Sequence, residues 1–172
     1  MTDEPRPSQA DVRADRPATV VRLVQLMWAG AVLAVLTGVY GLLSIDRAVA
    51  QVMPQLEADL AAAGVDPAAA VDGTGWLVAV GLVVSTVVAA GLWALFAWLL
   101  GRGQGRVVGT VLGAVNGVGS VWGLFQALDL LELVLGLATL AVVAAGLVLL
   151  WRPTTSAWFL AVKAADRSIP WT

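Results

Sequence analysis

The chain contains no cysteine and no histidine. Their absence removes disulfides, thiolate nucleophiles, zinc sites of the usual kind, haem ligation through His and the commonest general base. No cofactor and no metal are expected, and a non-enzymatic protein is the reading these absences favour. Charge is scarce too. Only 13% of residues are charged and 59% are hydrophobic, against roughly 25% and 45–50% in soluble domains. A net charge of −2 without a basic stripe excludes nucleic acid as a partner, since phosphate binding needs cations gathered on one face.

What is present is long apolar runs. The 172 residues make one domain's worth of chain. Four stretches, from about Leu23 to Ile45, Trp76 to Leu100, Val107 to Gln126 and Leu130 to Trp151, can cross about 30 Å of hydrocarbon at about 1.5 Å per residue. Glu132, in the first turn of the fourth, is their one acid or base. Ala48-Val49-Ala50 resembles a small-x-small cleavage site after the first run, but that run is too long for a signal sequence and reads as an uncleaved anchor.

Charge orients the spans. Arg6, Arg13, Arg16 and Arg22 precede the first, Arg102 and Arg106 lie between the second and third, and Arg152, Lys163 and Arg167 follow the fourth. Only Arg47 falls on the other side, a split of nine to one. The basic side faces the cytoplasm, so both termini are expected there, with Arg102, Arg106 and Arg152 as topology-setting residues of a multi-pass plasma (inner) membrane protein. Trp28, Trp98 and Trp151 mark inner boundaries, and Tyr40, Trp76 and Trp122 mark outer ones.

Residues 1–16 read as a disordered cytoplasmic tail, 17–152 as a transmembrane domain and 153–172 as a cytoplasmic interfacial tail. Within the outer segment 46–75, the recurrence of Ile45, Val49, Val52, Met53, Leu56 and Leu60 predicts an amphipathic helix stopped by Gly64. Asp66-Pro67 suggests a cap and a second short helix. Asp129 and Glu132 fit a capping box opening the fourth span, and the tight link before it makes spans three and four antiparallel neighbours. Trp158, Phe159, Val162 and Ala165 share one face of a short helix expected on the inner membrane surface. The fold class is therefore all-α: a four-transmembrane-helix bundle with an extracytoplasmic amphipathic helix and a short C-terminal interfacial helix.

Helices in lipid associate by close backbone approach and interhelical hydrogen bonds. Gly109, Gly113 and Gly117 form a smooth stripe on span three, followed by Gly119 and Gly123. Gly30, Ala34 and Gly38 form one on span one, and Gly81, Ser85 and Ala89 one on span two. Such stripes fit packing within the monomer or homodimerisation. Asn116 is the most polar side chain deep in a span and is expected to face the bundle and find a partner. Thr37, Ser85, Thr86, Ser120 and Thr139 can bond to their own helix.

Arg16-Pro17-Ala18-Thr19-Val20, Gly105-Arg106-Val107-Val108, the run Leu150-Trp151-Arg152-Pro153-Thr154-Thr155-Ser156-Ala157-Trp158-Phe159, and Val162-Lys163 carry a resemblance. In their order the chain resembles a family of small, uncharacterised four-helix integral membrane proteins of actinobacteria. The inner turn of similar proteins often reads GRxWAR; here it is GRGQGR, without the tryptophan. The resemblance implies four spans, an outer helical segment and a bacterial plasma membrane, and it brings no activity and no site.

Two function classes remain. The first is a non-enzymatic accessory or scaffolding protein that contacts the lipid bilayer and a membrane-protein partner or a second copy. The alternative is a small self-associating channel or transporter. An absence of native cysteine makes the topology directly measurable. With a membrane-impermeant maleimide on intact cells, Gln55→Cys is expected to label and Gln104→Cys to label only after permeabilisation; the opposite pattern would invert the orientation.

Overall fold

The computed structural model describes residues 15–64, 74–125, 127 and 129–167. Among the described residues there are six elements, all helices: α1 (Ala18–Leu43), α2 (Ile45–Ala62), α3 (Thr74–Gly101), α4 (Arg106–Phe125), α5 (Leu130–Leu150) and α6 (Pro153–Arg167). Among the described residues, α1, most of α3, α4 and α5 are long and apolar enough to cross a membrane. The Asp66-Pro67 helix and the expected tail disorder of residues 1–14 lie outside the described residues.

The chain divides into two compact units. One comprises residues 32–91, with the second half of α1, all of α2 and the first part of α3. Here the predicted first span ends two residues early, at Leu43 rather than Ile45. Ser44 turns its hydroxyl back to the Tyr40 carbonyl at 2.8 Å, which satisfies the helix end locally. Ile45 then opens α2. Arg47 donates to the Tyr40 hydroxyl at 3.2 Å across this break. Along α2, Ile45, Val49, Met53, Leu56 and Leu60 are half-buried while their described neighbours are exposed, the stripe that the spacing predicts. Gly64, at φ 71°, ends the segment; its left-handed backbone is natural for glycine there. Gly38 meets Thr86 of α3 so closely that no Cβ could be accommodated.

The other unit comprises residues up to 31 and from 92 onward, and it holds every buried hydrophobic side chain among the described residues. Val20, Leu23, Leu100 and Val162 are each 1% exposed or less. These come from the start of α1, the end of α3 and α6. The α4–α5 hairpin follows from the short link and from its cap: the Asp129 carboxylate accepts from the Glu132 N–H at 2.9 Å, one arm of the predicted capping box.

Between α3 and α4 the chain reverses through Gly103. Its φ of 76° lets the Gln104 and Gly103 N–H groups reach the Leu99 and Leu100 carbonyls at 3.0 and 3.1 Å. That is the paired bonding of a Schellman stop. A Cβ on Gly103 would also lie 2.8 Å from Val162 Cγ1, so the same residue admits α6 beneath the turn. Trp158, Phe159 and Val162 of α6 are buried within the protein. The predicted face is thus present, but protein covers it rather than leaving it free for a membrane surface.

Gly30 faces Trp93, and a Cβ at this position would lie only 2.5 Å from the ring, whereas Gly81 has nothing within 4 Å. Gly30→Val is therefore expected to cost about 1–3 kcal/mol as an overpacked contact, and Gly81→Val less than about 0.5 kcal/mol. Unfolding midpoints in detergent check the pair.

Candidate functional site

The predicted glycine stripe of α4 is spent inside the protein. A Cβ at Gly109, Gly113 or Gly117 would sit 3.7 Å from Leu150, 3.1 Å from Leu147 and 3.5 Å from Val143 respectively. As the glycines climb α4 their partners descend α5, which is an antiparallel seam. Gly136 extends it, its Cβ position lying 2.7 Å from Leu124. Gly146 admits the Met27 methyl at 2.8 Å in the same way. Sequence reasoning missed Gly136 and Gly146, because their wide spacing makes no stripe on one helix. By contrast Gly119 and Gly123, like Gly81 of the third predicted stripe, face open space.

Asn116 borders the bundle's core but finds no partner among the described residues, where one is expected. It is exposed, and its carboxamide makes no hydrogen bond among the described residues. It sits at the edge of an apolar cavity of about 180 Å³ whose other walls include Leu23, Met27, Trp93, Phe96 and Val143. That volume is comparable to the roughly 150 Å³ apolar void known to admit benzene. The seam explains the difference. Gly113 and Gly117 point at α5, so Asn116, one residue back from Gly117, is turned off that contact by about 100°. The hydroxyls of Ser85, Thr86 and Thr139 return to their own helix carbonyls, at 3.0, 2.6 and 2.9 Å.

Two of the three arginines expected to set the topology stack on aromatic rings at one end of this unit. Arg102 lies 3.7 Å from the Trp98 ring centre, and Arg106 lies 4.3 Å from that of Trp151. Arg106 Nη2 also donates to Ser156 at 2.8 Å, and Trp151 Nε1 donates to Thr110 at 3.2 Å. Arg152 is exposed at the corner between α5 and α6. Nearby, fully buried Thr155 donates to Thr19 at 3.1 Å. This tie between α6 and α1 was not legible in the sequence, because two threonines so far apart carry no pattern.

Among the described residues no group of three His, Cys, Asp or Glu side chains could hold a metal. The cavity can hold an apolar group, and Asn116 can both donate and accept hydrogen bonds. No family model, no curated protein and no solved structure matches the chain. Because Asn116 has no hydrogen-bond partner among the described residues, Asn116→Leu is expected to leave the unfolding free energy of the isolated protein within about 0.5 kcal/mol of the parent. A destabilisation above about 1 kcal/mol, read by denaturant titration in micelles, would reveal an internal hydrogen bond.

Proposed function

We propose that this chain is a multi-pass protein of a bacterial plasma membrane, with both termini in the cytoplasm, acting as a non-enzymatic accessory or scaffolding subunit. Hydrocarbon surroundings suit the many apolar side chains that stay exposed on α1, α3, α4 and α5, which would be a large liability in water. The nine-to-one distribution of Lys and Arg supports the orientation.

The observation that carries the accessory role is on α4. None of its 20 residues is buried, yet it presents Asn116, unpartnered among the described residues, beside the open Gly119. In hydrocarbon an unpaired amide costs several kcal/mol, and another protein's helix laid along this face would remove that cost. The small residues allow the approach and the amide supplies the bond. The same face supports the second reading, a self-associating channel or transporter, in which copies arrange Asn116 around a pore.

Native purification in mild detergent, read by mass spectrometry, tests both. An accessory protein is expected to carry a stoichiometric partner that Asn116→Leu removes without changing monomer stability. A channel is expected to purify as a homo-oligomer whose flux in liposomes Asn116→Leu abolishes. A monomer with neither partner nor flux would overturn both.

A further inference from the structure

At the end of the core unit where α3 turns into α4, a crevice of about 490 Å³ opens between the Gly103–Val108 segment and α6. Its walls carry two cations from separate elements, Arg106 at the start of α4 and Lys163 of α6. No acidic side chain lines it among the described residues. Arg106 is under-used for a half-buried guanidinium. It has five N–H donors; Ser156 receives a bond from Nη2, while buried Nε has no acceptor. Lys163 is exposed and has no hydrogen-bond or ion-pair partner among the described residues. Gln104 adds a neutral polar group, and Val107, Phe159 and Leu160 make the rest of the wall apolar.

Two cations with no acidic side chain beside them in the crevice, bordered by apolar side chains at the end of a spanning helix, match one kind of ligand: an anionic head joined to a greasy tail. We propose that this crevice binds the phosphate of an anionic phospholipid headgroup, with Arg106 and Lys163 as its two charge partners and the exposed Val107 and Leu160 against the proximal acyl chain. Basic pockets between spanning helices at a membrane boundary bind such headgroups in this way. The free N–H groups of the first turn of α4 add positive potential but do not by themselves make the site. The site rests on the membrane insertion proposed above and is independent of the accessory role.

The full-length protein in dodecyl maltoside micelles is titrated with phosphatidylglycerol, or with phosphatidylcholine of the same chains, and bound lipid is counted by native mass spectrometry. Phosphatidylglycerol is expected to bind about tenfold more tightly or better. Lys163→Gln, at an exposed position where folding is not at stake, is expected to weaken that binding about fivefold; Lys163→Arg is expected to restore it. Arg106→Gln is expected to weaken it at least as much. Equal binding of the two lipids, or a preference unchanged in Lys163→Gln and Arg106→Gln, overturns the proposal. Displacement of the lipid by millimolar glycerol 1-phosphate reassigns the crevice to a soluble phosphate and overturns the lipid assignment. Carbonate extraction reports insertion separately: a chain retained in the membrane that binds both lipids alike loses the site and keeps the insertion.

Discussion

Close approach of helix backbones is the constraint on which the core unit depends. Its long helices hold almost no charge to pair, and in the membrane proposed for them apolar side chains would gain little by leaving hydrocarbon for one another. What remains is dispersion, and dispersion requires contact over many atoms at short range. Gly109, Gly113 and Gly117 supply it by letting Leu150, Leu147 and Val143 settle onto the α4 backbone. Gly146 does the same for Met27, and Gly30 for the face of Trp93. In each case a large side chain on one helix meets a missing one on the next.

That economy extends to the end of the unit, where polar contacts take over. Gly103 stops α3 and at the same time leaves room for Val162, so the turn and the docking of α6 share one residue. Around it, Thr155 reaches Thr19 and Arg106 reaches Ser156. The two bonds join residues 136 and 50 positions apart in sequence, and both sit where a buried hydroxyl or guanidinium would otherwise be costly. Dispersion thus aligns the helices, and a small hydrogen-bonded cluster fixes how their ends are capped.

Asn116 shows how one packing decision sets the chemistry of a surface. Once the Gly113–Gly117 stripe is committed to α5, helical geometry leaves the neighbouring amide off the seam. The amide is left without an internal hydrogen bond among the described residues, exposed at the apolar cavity and one turn from open glycine backbone at Gly119.

Composition and periodicity by themselves determined the number and approximate limits of the long helices, the half-buried stripe of α2, the Asp129 cap and the stop at Gly64. Each is a local property: a run of apolar residues, a helical repeat, or a side chain bonded within one turn of itself. The orientation proposed for the chain likewise rests on where Lys and Arg fall along it. The tertiary structure alone decided which stripe is used, that Gly119 and Gly123 stay open, and that Gly136 and Gly146 serve packing. It also turned α6 from a candidate surface helix into part of the core, because Gly103 makes room that only a folded neighbour reveals. Contacts such as Thr155 to Thr19 join residues distant in sequence, and no local rule of spacing encodes which distant segment will fill a given gap.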